Sequence, residues 1–147
     1  MREIRGNIFD QDVDVVCIAA NGSVMDNGKA VMGCGRALDA ELLFPGLADL
    51  LGVWINAVGN HLHYLKFIEE RGYTICSFPI RDKWDGEVDL KLVEESCKDL
   101  VESTMPNITV ALPPMGCGAD GKTWEDIKKI MAKHFDDRFV IVEPENV

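Results

Sequence analysis

The stretch "VDVVCIAAN", Val13 to Asn21, constrains the fold more than any other part of the chain. A half-exposed strand alternates polar and apolar residues, whereas the six residues from Val15 to Ala20 carry no polar side chain and need cover on both faces. Such a strand belongs inside a sheet with helices above and below it, which predicts a layered α/β protein. At 147 residues, 47% of them hydrophobic, the chain has enough apolar surface for one core, so residues 1–147 read as a single domain. It shows no internal repeat, low-complexity segment or linker.

The remaining segments fit that frame. A short strand around Arg2 to Arg5 precedes the apolar run, and "GSVMDNGKAVMGCG" places Asn27-Gly28 between two apolar pieces, which predicts a protruding hairpin with a type I′ turn. "GRALDAELLF" suits a helix that starts on a glycine-rich loop and stops at Pro45. "LADLLGVWINAVG" puts Leu47, Leu50, Leu51, Trp54, Ile55 and Val58 on one helical stripe ended by Gly59. "HLHYL" and "YTICSF" read as strands joined by the charged turn "KFIEERG", with Pro79 closing the second. A loop, "PIRDKWDGEV", leads to a helix that spaces Leu90, Val93, Cys97, Leu100 and Val101 on one side, and acidic residues favour its first half. A strand "ITVAL", a second glycine-rich loop, a helix from Trp124 and a strand "RFVIV" complete a mixed sheet with helices on both faces.

The second loop, "GCGADGKT" from Gly116 to Thr123, matches the nucleotide-binding pattern G-x-x-x-x-G-K-[ST]. Its surroundings do not suit a P-loop Mg-ATPase. That enzyme class needs a magnesium-binding carboxylate on a neighbouring strand and further βα units, but only one helix and one strand follow Thr123. Pro113-Pro114 also separates strand from loop, and Thr123 with Asp126 fits a helix-capping pair. The physics that remains is an anion site made of bare backbone N–H groups at a helix start, with Lys122 near the ligand or in water. "VMGCGRALD" repeats this arrangement after the buried strand, and two such loops at strand ends of one sheet would share a crevice and clamp a diphosphate.

A formal net charge of −10 argues against bulk nucleic-acid binding, since releasing counterions from a phosphate backbone takes clustered Lys and Arg. The chain start lacks a signal-peptide core and no apolar run is long enough to cross a bilayer, so the expectation is a cytoplasmic protein without a membrane partner. Five cysteines with no C-x-x-C pair fit reduced thiols. His61 and His63 alternate on a strand but lack a third ligand, so neither a metal nor a cofactor is expected. Cys34 and Cys117 sit near helix starts, where a thiolate would be stabilised, but no histidine partner is apparent. Trp54 and Trp124 read as core or interface aromatics, and Phe44, Phe78 and Trp84 are candidates to flank the crevice.

Over essentially its whole length the chain resembles the macrodomain family of ADP-ribose-binding modules. "GNIFDQDVDVVCIAAN", "VMGCGRALDAELLFPGL", "SFPIRDKW" and "ALPPMGCGADGKTWEDI" are similar, in order, to segments of the branch that holds terminal ADP-ribose protein glycohydrolase and antitoxins that remove ADP-ribose from DNA. The resemblance implies a three-layer α/β/α fold and ADP-ribose or an ADP-ribosylated substrate as partner. It gives Asn7 and Ile8 to the adenine and Asn21 to the distal ribose, with an Asx turn at the end of its strand as the alternative for Asn21. Gly33, Cys34 and Gly35 would line the first loop, and Gly116, Cys117, Gly118, Ala119 and Asp120 the second.

Departures from the family pattern bear on catalysis. Asn7 replaces the usual Asp, Arg81 the lysine of F-P-x-K, and Ala119-Asp120-Gly121 the common Asn-Gly-Gly. Asp120 would serve as a general base or would repel a diphosphate. Lys66 and Lys29 are candidates for the Schiff-base lysine of that branch, with a solvated turn as the alternative for Lys66. The reading is an ADP-ribose-binding macrodomain that hydrolyses an ADP-ribosyl bond or processes ADP-ribose 1″-phosphate, with Asp120 and Asn21 catalytic. The alternatives are a non-catalytic nucleotide-binding module and, remotely, the Mg-ATPase.

Overall fold

A computed structural model describes residues 1–33, 35–116 and 124–145. They form six strands and four α-helices: β1 (Arg2–Arg5), β2 (Val15–Ala20), α1 (Arg36–Leu43), α2 (Leu47–Val58), β3 (His63–Ile68), β4 (Tyr73–Pro79), α3 (Leu90–Ser103), β5 (Val110–Leu112), α4 (Trp124–His134) and β6 (Phe139–Glu143). One sheet runs in the order β1-β6-β5-β2-β4-β3, parallel except where the edge strand β3 pairs antiparallel with β4. The mixed sheet covered on both faces is therefore as expected from the apolar run in β2.

Period-two alternation divides the core. On one face Val16, Ile18 and Ala20 of β2, Tyr73 and Ile75 of β4, Ala111, and Val140 and Val142 of β6 pack with Ala37, Ala40, Leu47 and Leu51 of α1 and α2. On the other, Val15, Cys17, Cys76, Phe78, Val110, Leu112, Phe139 and Ile141 pack with Val93, Cys97 and Leu100 of α3 and Ile127 and Met131 of α4. Every inner strand feeds both layers, which is why none of them can present a polar face to water. No single helix among the described residues is long and apolar enough to cross a membrane.

Three local expectations are corrected. The stripe of α2 is rotated: Leu47, Ala48, Leu51 and Gly52 are buried, while Leu50, Trp54 and Val58 are exposed. Gly52 is the reason, because a Cβ there would stand 1.9 Å from the Gly28 carbonyl oxygen, so the hairpin backbone takes the place a side chain would fill. The hairpin exists, with a Val24–Ala30 bridge, but its turn is not type I′. Asp26 and Asn27 keep negative φ, Gly28 N–H donates to Met25 C=O, and only Gly28 is left-handed (φ 87°), the arrangement of a three-residue loop. Finally Lys66, Phe67 and Ile68 belong to β3 rather than to the turn, which is left to Glu69–Gly72 with Gly72 at φ 81°. Lys66 is exposed on the sheet edge.

Cys17 and Cys76 stand opposite each other in register and Cys97 packs in the same layer, all buried and reduced. Burial pushes the Cys97 thiol up to about 12 and Cys76 also well upward, so both stay protonated and behave as small core side chains at neutral pH.

Candidate functional site

Since β2 lies between β5 and β4 and all three run parallel, their carboxyl ends open on one side of the sheet, where α/β proteins bind ligands. A cavity of about 770 Å³ occupies that place. The floor comes from Ala19, Ala20 and Asn21 at the end of β2 and Ile80 beyond β4. One wall is Val31 to Gly33, Gly35 and Arg36, another is Pro113 to Gly116, and the third is Arg81 with Trp84 to Gly86. The two glycine-rich loops thus share one crevice in their described parts.

Asn21 lines the cavity and is also held tightly. Its Nδ2–H donates to Val31 C=O at 3.0 Å, and its Oδ1 accepts from Ser23 N–H at 2.9 Å. The Asx turn and the cavity position therefore coexist, and the amide retains one N–H and one lone pair for a ligand. Gly33 (φ 70°) and Gly35 (φ 71°) are left-handed, with open space where a Cβ would be, so conformation and not crowding calls for glycine in this loop. Cys34 and Cys117, Gly118, Ala119 and Asp120 lie outside the described residues, as do Lys122 and Thr123.

Asn7 and Ile8 do not line the cavity. Asn7 is exposed and spends an Oδ1 lone pair on Phe9 N–H, capping the 3-10 turn Ile8–Asp10, while Ile8 points into the core at 2% exposure. Of the three aromatic candidates, Trp84 lines the crevice. Phe78 is buried under α3 and α4, and Phe44 packs edge-on against Phe9 and Tyr73. Lys29 and Lys66 are exposed outside the lining. His61 precedes β3, and His63 donates Nε2–H to Gly59 C=O at 2.9 Å beneath the stacked ring of Trp54. Among the described residues no group of three or more His, Cys, Asp or Glu side chains could hold a metal ion.

Arg36 is the lining residue that the motifs left out. It opens α1, where the helix dipole disfavours a cation, and its Nε pairs with Asp39 at 3.2 Å, one turn on. A positive charge at a helix start, just after a glycine loop, puts a cation on the cavity wall. Arg81 supplies a second cation, donating from Nη1 to Gly86 C=O at 3.1 Å.

The loop that carries Arg81 and Trp84 is fastened to the end of β2. Gly22 N–H donates to Asp82 C=O at 2.7 Å, Trp84 N–H to Ser23 Oγ at 3.0 Å, and Asn60 Nδ2–H to Arg81 C=O at 3.0 Å. A Cβ on Gly22 would meet the Asp82 oxygen at 2.7 Å, so this glycine is there for close approach.

This architecture is that of a macrodomain. The macrodomain of DarG from Thermus aquaticus superposes with a TM-score of 0.71 at 25% identity, covering 99% of this chain and 97% of that one. The Mycobacterium tuberculosis DarG macrodomain gives 0.78 at 22%, covering 97% and 98%. Thermosipho africanus DarTG, solved in complex with ADP-ribose, gives 0.74 at 19% over 95% of this chain and 40% of its own. In sequence, the chain is 28% identical over 138 residues to a DNA ADP-ribosyl glycohydrolase of Thermus aquaticus, covering 88% of this chain. The chain spans 36% of that relative's length. No family model matches. By fold the chain is a macrodomain, and the proteins it resembles include those of the DarG branch.

Proposed function

We propose that the chain binds ADP-ribose in the crevice at the ends of β2, β4 and β5 and hydrolyses an ADP-ribosyl bond there. The observation that carries this reading is the convergence of Gly33, Gly35, Gly116 and Asn21 on one cavity. Backbone N–H groups of the two loops would face the diphosphate, with Arg36 adding charge from the start of α1. Asn21 would use its spare N–H and lone pair on the hydroxyls of the distal ribose. Asn7 and Ile8 would meet the adenine only if the ligand reaches past the cavity described, with Asn7 offering its second Oδ1 lone pair.

For hydrolysis, a water adds to the anomeric carbon of the distal ribose as the bond to the leaving group breaks. Asp120 is the proposed general base, accepting the water's proton while the leaving atom takes up another from solvent. ADP-ribose is then one product, and the released acceptor is the other. Lys29 and Lys66 are exposed outside the cavity lining, and Arg81, with its guanidinium always protonated, cannot attack carbon as an amine does. Water is therefore the nucleophile in this route, and processing of ADP-ribose 1″-phosphate needs the same groups.

Asp120→Ala tests the chemistry apart from the binding. Turnover of ADP-ribosylated oligonucleotide or of ADP-ribose 1″-phosphate is expected to fall by at least about 100-fold, the usual worth of a positioned base, while ADP-ribose still binds. Full turnover in Asp120→Ala would remove it from this role. Wild-type protein that binds ADP-ribose and turns over neither substrate would leave the non-catalytic module.

A further inference from the structure

The helix α2 is apolar on two sides, and the sheet covers one of them. Leu47, Ala48 and Leu51 are buried, while Leu50, Val53, Trp54, Ala57 and Val58 are exposed. The spacing of those five, i, i+3, i+4, i+7 and i+8, makes a continuous outward stripe, and a helix apolar on both sides is normally covered on both. Val53 is 65% exposed and Val58 54%, and Asp49 is the sole charged residue of the helix. Trp54 is held in place, because its ring stacks on His63 at a centroid distance of 5.3 Å and His63 donates to Gly59 C=O. A rigid aromatic among smaller apolar side chains has the make-up of an interface anchor. We propose that this stripe is the contact of a symmetric homodimer, in which α2 of one copy packs antiparallel on α2 of a second.

Charge and area favour a second copy over a different partner. A chain with a net charge of −10 repels its own kind, so two copies meet at least cost on a face without charges. A basic partner would instead be met by acidic residues, which the stripe leaves out. With Leu42 and Leu43, exposed at the end of α1, the stripe offers on the order of 600 Å² per copy, so that a pair buries about 1,200 Å², the lower bound for a specific interface. The sequence of the stripe is also self-complementary about a two-fold axis placed between Val53 and Trp54. Leu50 of each copy then lies opposite Ala57 of the other, large against small, and Val53 opposite Trp54. None of the five stripe residues lines the cavity, so each copy keeps its crevice open.

Sedimentation equilibrium of the full chain, over roughly 1–200 µM, should show a monomer–dimer equilibrium with a Kd on the order of 10 µM. Val53→Glu should raise that Kd by at least about 30-fold. Met105→Glu, which alters an exposed apolar residue outside the stripe, should leave it within about twofold. The melting midpoint of Val53→Glu should stay within about 2 °C of wild type, since its side chain is exposed, which separates a lost contact from a lost fold. An equal mixture of Val53→Lys and Val53→Glu chains should associate at least about fivefold more tightly than either chain alone, because only a second copy brings the two charges together. A chain that stays monomeric throughout the range would overturn the proposal and leave the stripe to a different protein or to a further segment of a longer chain. A dimer unaffected by Val53→Glu would overturn it in favour of another face, and a mixture no tighter than its parts would overturn the pairing of α2 with α2.

Discussion

Gly52→Ala is expected to cost about 3 kcal/mol of stability and to lower the melting temperature by roughly 6–12 °C. On helix propensity alone alanine would stabilise α2 by about 1 kcal/mol, so the sign of the result discriminates between local preference and packing. Packing outweighs propensity because the obstacle is backbone. The added methyl would stand 1.9 Å from Gly28 O, 3.0 Å from Gly28 C and 3.1 Å from Ala30 N. Relief means moving the hairpin away from α2 and stretching the 2.9 Å bond from Ala30 N–H to Ala48 C=O. Val31 follows at once in the chain and holds Asn21, so the damage should reach the cavity and weaken ADP-ribose binding as well. Thermal melts of both proteins decide the matter; an unchanged or raised midpoint would mean that α2 does not rest on the hairpin.

Asn21→Ala carries the second large effect, and here binding and stability should both fall. Removing the amide leaves Ser23 N–H and Val31 C=O without the partners that join β2 to the hairpin, a cost of about 2 kcal/mol for groups this enclosed. It also strips the cavity floor of its polar side chain, with an expected loss in ADP-ribose affinity of at least about tenfold. Asn21→Asp separates the two contributions. Its carboxylate can still accept from Ser23 N–H, but it cannot donate to Val31 C=O and it brings a negative charge toward the diphosphate. Stability should therefore lie between wild type and Asn21→Ala, while affinity falls at least as far as in Asn21→Ala. Calorimetry that finds wild-type affinity in Asn21→Ala would exclude this residue from the site.

The sheet was legible because its central strands carry no ambiguity: residues buried on both faces, such as Val15 to Ala20, have one reading. The stripe of α2 was not, because period alone cannot tell a helix face turned to the sheet from one turned to solvent when both are apolar. Gly52 decides the rotation through a neighbour, Gly28, that is far away in sequence. The turn at Asn27-Gly28 was misread for a similar reason, since the dipeptide permits type I′ but hydrogen bonding to Met25 and Lys29 selects a three-residue loop. At the site, glycine spacing located both loops and the resemblance singled out Asn21. Arg36 escaped notice, and Trp84 could not be chosen over Phe44 and Phe78, because neither belongs to a motif whose chemistry names it. They gain meaning only when the carboxyl ends of β2, β4 and β5 bring three separate loops together.

Whether one crevice accepts ADP-ribose is measured directly by isothermal titration of the purified chain with ADP-ribose, set beside ATP with magnesium. Saturable one-site binding of ADP-ribose is expected, and none comparable for Mg-ATP. Binding of Mg-ATP without ADP-ribose would contradict it and return "GCGADGKT" to the nucleotide-binding role its spelling first suggests.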